Sequence, residues 1–244
     1  MVSPLNDLLG RWVASVGIDP SLAPTPAVVD AGFGRRPRPC RPGTDPRQID
    51  AWERRHGYML PASLRAWLVL SNGFYLDQGP LIHPLSAIGP MVPFARVRDL
   101  VVQPESWFEL GNPNVETVCI DLAYRWPGGD CPIFTSGDDQ SQSPPRVIAP
   151  GFESWFLRLL RRGGREYWFE PGFAGLGDPW VEHRRHTPAP ELPDRLRTLA
   201  PHVLTLMRPG ADDRVIASSL GISRGDVEAI FRHLQHGSTD FAGS

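Results

Sequence analysis

The 244 residues carry 25 basic side chains, all of them arginine, against 27 acids, for a net charge of -2 and a pI near 6.4. No overall basic field is therefore available to hold a nucleic-acid backbone or an anionic membrane. With 41% hydrophobic residues the chain can fill a core, and 27 prolines with 24 glycines predict long irregular segments between its ordered parts.

Leu5, Leu8, Leu9, Trp12, Val13 and Val16 share one side of a helix predicted over residues 1–16. It lacks the basic n-region of a signal peptide. Residues 17–46 hold seven prolines together with Arg35, Arg36, Arg38 and Arg41, the composition of an extended linker, so 1–46 reads as an N-terminal helix and Pro-rich linker. No run approaches the roughly 18 apolar residues that a membrane helix needs. Cys40, Cys119 and Cys131 are odd in number and form no Cys-x-x-Cys pair, which points to a reducing cytosol.

Ile49 and Trp52, with Glu53 or His56, fall at helical spacing, and Gly57 supplies a left-handed stop. A second helix follows, with Pro61 in its first turn and Leu64, Trp67, Leu68 and Leu70 as its buried stripe, ended by Ser71-Asn72-Gly73. Phe74 to Leu76 and Leu81-Ile82, split by Asp77 to Pro80, read as a hairpin or a strand-loop-strand. Ala95 to Gln103 has the pattern of a short helix or turn. Beyond it come short strands: Trp107 to Leu110, Thr117 to Leu122, Pro132 to Phe134 and Arg146 to Ala149, separated by Gly111 to Asn114, Pro127 to Asp130 and the polar loop Gly137 to Pro145. Connections this short make antiparallel neighbours. Gly151 to Arg162 is an amphipathic helix, with Phe152, Trp155, Phe156, Leu159 and Leu160 apolar, arginines in its last turns and Gly163-Gly164 beyond.

The succession Trp52-Glu53, Leu60-Pro61-x-x-Leu64, Ser71-Asn72-Gly73-Phe74, Phe108-Glu109-Leu110-Gly111-Asn112, Ile120-Asp121-Leu122, Gly129-Asp130 and Phe152-Glu153-Ser154-Trp155-Phe156 resembles the SUKH superfamily, the Smi/Knr-type proteins. The resemblance covers about residues 44–163. It implies an α+β fold of antiparallel strands flanked by helices, here assigned to 47–163, and a non-enzymatic, cytoplasmic protein that binds another protein. Bacterial relatives of this type resemble immunity proteins that mask secreted nuclease or deaminase toxins, and fungal relatives are signalling and cell-wall regulators. The long N-terminal stretch and the C-terminal extension depart from the compact family pattern.

Residues 164–190 form an irregular arm rich in aromatics, with Tyr167, Trp168, Phe169, Phe173 and Trp180 among interrupting glycines and prolines. Packing over the main domain and an aromatic binding surface are the two readings of it. Residues 191–236 are helical, with Leu192, Leu196, Leu199, Val203, Leu204 and Met207 as one stripe and Asp212 or Asp213 as the cap of the next helix. Ala217, Gly221 and Val227 have helix-turn-helix spacing: a small residue at the crossing, glycine in the turn and an apolar residue in the second helix. Residues 191–244 carry six arginines against seven acids, however, which is little charge for a DNA reader.

If the partner is a nuclease toxin, acids on one face would mimic phosphates, and Asp77, Glu105, Glu109, Glu116, Asp138 and Asp139 fall on predicted loops and strand edges. The alternative, a regulator that binds DNA through the helix-turn-helix, places Arg224 and Arg232 at the contact. His183-x-x-His186 and His233-x-x-His236 lack a nearby third ligand, so neither a metal nor another cofactor is expected. No Gly-x-Ser-x-Gly elbow and no phosphate-cradling glycine loop is present.

Overall fold

The computed structural model describes residues 41–76, 79–92, 96–97, 100–101, 103–112, 116–127, 130–137, 144–162, 165–189, 191–206 and 212–237. The predicted helix over 1–16 and nearly all of the linker lie outside the described residues. The fold is α+β, and the chain divides into two compact units: residues 1–91 with 106–179, and 92–105 with 180–244.

In the first unit, helix α1 (Pro46–His56) begins where the Asp45 carboxylate accepts the Arg47 N–H at 2.8 Å, and ends at Gly57, whose φ of 75° closes the last turn. Aspartate at the cap satisfies a donor that the helix leaves orphaned, and glycine alone adopts the left-handed stop at no cost. The inner face carries Ile49, Trp52 and the buried Glu53. Helix α2 (Ala62–Leu70) follows Pro61, which stands just ahead of the first turn. Leu64, Trp67 and Leu68 are buried, but Leu70 faces outward. Ser71 stops the helix by donating its hydroxyl to the Gly73 carbonyl at 2.7 Å, and Gly73 turns the chain at φ 107°.

The expected hairpin is β1 (Phe74–Leu76) against β2 (Gly79–Ile82), antiparallel, with Phe74 opposite Ile82. The main sheet has five strands: β3 (Gly89–Pro90), then, after the 92–105 excursion that belongs to the second unit, β6 (Trp107–Gly111), β7 (Val118–Asp121), β8 (Ile133–Thr135) and β9 (Arg146–Ala149). The excursion itself holds β4 (Arg96–Val97) paired with β5 (Leu100–Val101). In the sheet the order is β3-β6-β7-β8-β9, antiparallel throughout. The register lines up Phe108, Ile120 and Ile133 across one face, which packs on α1, α2 and α3 (Phe152–Arg161) in one apolar core. Trp67, Phe74 and Phe156 meet edge-on with ring centroids 4.6–5.9 Å apart, the geometry that ring quadrupoles favour.

Where 95–103 was expected to be a helix or turn, the chain makes the β4–β5 ladder. The aromatic arm also divides. Tyr167 and Trp168, in a 3-10 turn (Tyr167–Phe169), are buried in the first unit's core. The Tyr167 hydroxyl donates to the Ile148 carbonyl at 3.0 Å, while Arg158 lies over its ring. Leu176 and Gly177 exchange backbone hydrogen bonds with Val147, covering the free edge of β9. From Trp180 onward the chain belongs to the second unit, where Pro179–His186 is a helix, α4, that the proline-and-glycine reading missed.

The second unit is helical apart from the β4–β5 ladder among the described residues. Short α5 (Asp194–Arg197) leads into α6 (Ala200–Leu206), α7 (Asp213–Leu220) and α8 (Arg224–Gly237). Leu192, Leu196, Ala200, Val203, Ile216, Ala217, Val227, Ile230 and Phe231 share its core. Leu204, placed in the buried stripe on sequence, is 45% exposed; the turn of helix it occupies points away from that core. Met207 lies outside the described residues.

Candidate functional sites

The polar residues that carried the family resemblance turn out to be locks for backbone. Glu53 accepts the Leu60 N–H at 2.8 Å through one carboxylate oxygen and pairs with Arg65 through the other, tying the α1–α2 connection to both helices. Asn72 accepts the Leu85 N–H at 2.7 Å. Asp121 accepts from the Ser106 hydroxyl at 2.7 Å, the Trp107 indole at 2.9 Å and the Ala123 N–H at 2.9 Å. Asp130 accepts from the Ser63 hydroxyl at 2.9 Å and from the Cys131 N–H at 2.8 Å. Buried or partly buried carboxylates that accept several hydrogen bonds hold a chain in one conformation because leaving those donors unmet would cost more than any single bond returns.

The Asp130 lock shapes a surface cleft of about 350 Å³ lined by Pro127, Asp130, Pro150, Gly151, Glu153, Ser154 and Leu157. Asp130 packs so closely on Gly151 that a Cβ there would stand 2.4 Å from the aspartate Cβ. Beside the cleft, Ser63 carries the lock onto α2, whose outward side is apolar. Ala62, Ala66, Val69 and Leu70 are all exposed, with Val69 at 46% and Leu70 at 48%. At 100° per residue these four positions form one stripe. Helix α2 is thus apolar both toward the core and toward solvent, whereas a helix on the surface of a globular unit ordinarily turns polar residues outward. One flank of the stripe is charged: Arg65 pairs with Asp50 at 2.7 Å and with Glu53, and these two hydrogen bonds, Asp50 first, raise the Arg65 pKa further. The other flank is the cleft, with its Asp130 and Glu153 carboxylates.

Of the six acids expected to form a phosphate-mimicking face, three are among the described residues, and each of these is engaged within its own unit. Asp77, Asp138 and Asp139 lie outside the described residues. Glu116 is fully buried, 3.8 Å from the Arg146 guanidinium, and so offers nothing to a partner. Glu105 belongs to the second unit and pairs with Arg232. Glu109, on β6, keeps a partly exposed carboxylate 3.0 Å from His83 Nε2. An acid next to a turn reads as surface in a sequence, and tertiary packing decided otherwise for Glu116. The apolar α2 face was missed for the converse reason: Leu70 was grouped with Leu64, Trp67 and Leu68 as one apolar run, although the helical period turns Val69 and Leu70 away from those three.

The helix-turn-helix spacing is realised in the second unit. Ala217 is buried on α7, Gly221 takes φ 65° and donates to the carbonyls of Ala217 and Ser218, and Val227 is fully buried on the inner face of α8. Ser223 and Asp226 exchange hydrogen bonds of 2.9–3.1 Å as a capping box at the start of α8. Of the two arginines expected at a DNA contact, Arg224 is engaged by the buried Asp213. Burial works to raise the Asp213 carboxyl, but hydrogen bonding from Asp212 and from the Arg224 guanidinium outweighs it and holds the group below the usual carboxylate range. Arg232 pairs with Glu105 and lies 3.9 Å from Glu228.

Among the described residues, both cysteines are buried. Burial pushes the Cys131 thiol up to about 12, with Arg125 opposing the shift from 2.6 Å, and burial also raises the Cys119 thiol, which lies 3.4 Å from the Met91 sulfur. His186 lies 3.6 Å from the buried Glu182 on the same helix face. No family model matches the chain, and no curated protein matches it.

Proposed function

We propose that this chain is a non-enzymatic, cytoplasmic protein-binding protein of the SUKH type, and that its first unit recognises its partner through the outer face of α2 and the adjoining cleft. The observation that carries the reading is the exposed apolar stripe Ala62, Ala66, Val69 and Leu70 on a short, rigidly anchored helix. Contiguous exposed apolar surface is uncommon on a protein with no partner, and a helix fixed at both ends presents it with little entropy to lose on binding.

The partner is another protein with apolar side chains for the stripe and a basic side chain for the cleft, where Asp130 and Glu153 supply the complementary charge. A secreted nuclease or deaminase toxin, the class that the family resemblance implies, carries basic surface suited to this. The acids first considered as phosphate mimics do not carry the proposal; the apolar stripe does. Affinity capture from native lysate with tagged wild type and a Val69→Glu/Leu70→Glu variant in parallel tests it. A defined protein retained at near-stoichiometric level by wild type and lost by the variant supports the reading. Equal retention by both, or retention by neither, overturns it.

A further inference from the structure

We propose that the second unit binds double-stranded DNA through α8, and that Glu105 competes with DNA phosphate for Arg232. This goes beyond the protein-binding reading and does not depend on it.

The geometry comes first. A small buried residue on α7, a left-handed glycine in the turn and a buried valine on the next helix are the marks of a helix-turn-helix, a motif whose second helix lies in a major groove. The turn is reinforced by the Ile222 N–H donating to the Ala217 carbonyl at 3.0 Å and by the Ser223–Asp226 capping box. Helix α8 is 14 residues long, about 21 Å at 1.5 Å per residue, enough to span a groove about 12 Å wide. Val227, Ile230 and Phe231 face the core, so Gly225, Glu228 and Arg232 fall on the opposite side, and Gly225 is exposed with no side chain to hold a backbone away.

The electrostatics supply the second observation. Arg232 leaves α8 on this side but is mostly covered, with 29% of its side chain exposed, and its guanidinium pairs with Glu105, from the β5–β6 connection, and approaches Glu228. Glu105 is 71% exposed and the Arg232 side chain 29%, so solvent screens the pair from the Glu105 side and the pair itself contributes little. A DNA phosphate can therefore displace Glu105 at little cost. Arg224 differs, because its partner Asp213 is almost fully buried and the pair joins the starts of α7 and α8. It is a structural tie, and Arg232 is the phosphate ligand. With six arginines against seven acids over 191–244 and one arginine assigned to phosphate, the salt dependence is shallow: a log–log slope of about −1.

The test uses the full-length chain and a fluorescent duplex of mixed sequence, followed by anisotropy between about 25 and 150 mM salt, within which surface electrostatics are weakly screened at the low end. Wild type should bind, Glu105→Gln should bind severalfold more tightly, and Arg232→Gln about tenfold more weakly with a shallower salt slope. Gly225→Glu, which adds a like charge on the outward face without touching the core, should weaken binding with an unchanged far-UV CD spectrum, and stands in if Arg232→Gln perturbs folding. No binding by wild type or Glu105→Gln at 25 mM salt overturns the proposal, as does Arg232→Gln binding like wild type. Equal or tighter binding to single-stranded DNA, an RNA hairpin or heparin overturns the groove reading.

Discussion

Replacing Gly151 by alanine should destabilise the first unit although the backbone there is extended, with φ 178°, and would accept any residue. The obstruction is contact. A Cβ at 151 stands 2.4 Å from the Asp130 Cβ and 2.6 Å from its carboxylate, so the aspartate must move. Moving it breaks the hydrogen bonds from the Ser63 hydroxyl and the Cys131 N–H, about 1 kcal/mol each. Accommodating an extra methyl in close-packed surroundings costs about 1–3 kcal/mol more. Alanine returns about 0.4–1 kcal/mol by restricting the unfolded chain. The balance is a loss of about 2–4 kcal/mol, measurable by urea titration followed through tryptophan fluorescence. The same substitution made together with Asp130→Gly should cost less than about 0.5 kcal/mol beyond Asp130→Gly alone, because the obstructing side chain is gone. A Gly151→Ala protein as stable as wild type, or a penalty that survives Asp130→Gly, would refute the reasoning.

Other outcomes follow from the same contacts. Asp121→Ala leaves the Ser106 hydroxyl, the Trp107 indole and the Ala123 N–H without their acceptor and should cost about 3–5 kcal/mol in the same titration; a cost below about 1 kcal/mol would show the lock to be incidental. In a Cys40→Ser background, Cys119 and Cys131, both buried and held as thiols, should be silent to a chromogenic disulfide at pH 8 until denaturant is added, and prompt reaction in the native protein contradicts their placement. The Asp226 carboxyl is held below the usual carboxylate range by the Ser223 hydroxyl and N–H, with Arg195 adding to them. A carboxyl with a depressed folded pKa contributes stability above its unfolded pKa of about 3.9 and loses it as pH falls through the lower folded value. The melting temperature of the helical unit should therefore drop below about pH 4, and Asp226→Asn should flatten that drop; an unchanged profile counts against the capping box.

Much of this architecture was legible where one residue type answers one local need. Gly57 and the Ser71-Asn72-Gly73 stop marked the ends of α1 and α2, the turn residues spaced the strands of the meander, and Ala217, Gly221 and Val227 announced α7 and α8. What could not be read had no local signature. Strands of two residues such as Arg96–Val97 and Leu100–Val101 are too short to show a period. Tyr167 and Trp168 take the packed reading of their arm and are buried in the core, but a glycine-rich arm without a period does not itself decide between packing and presentation. Helix α4 ends in a His-Arg-Arg-His run that carries no apolar stripe. The candidate site was legible only in its frame: Asp130 and Glu153 belong to quoted motifs and Gly151 opens a predicted helix, while the α2 face emerged only once Leu64, Trp67 and Leu68 had claimed the inner side.

The most direct measurement of the central claim is the affinity of the captured partner for wild type and for Leu70→Glu by titration calorimetry, with the melting temperatures of both proteins recorded alongside. Leu70 is 48% exposed, so the charge is tolerated in the free protein and its melting should stay within about 2 °C of wild type. The account predicts a dissociation constant raised at least about tenfold, and a negative heat-capacity change for wild type as apolar surface is buried. An unchanged dissociation constant with equally stable protein would show that the outer face of α2 is not where the partner binds.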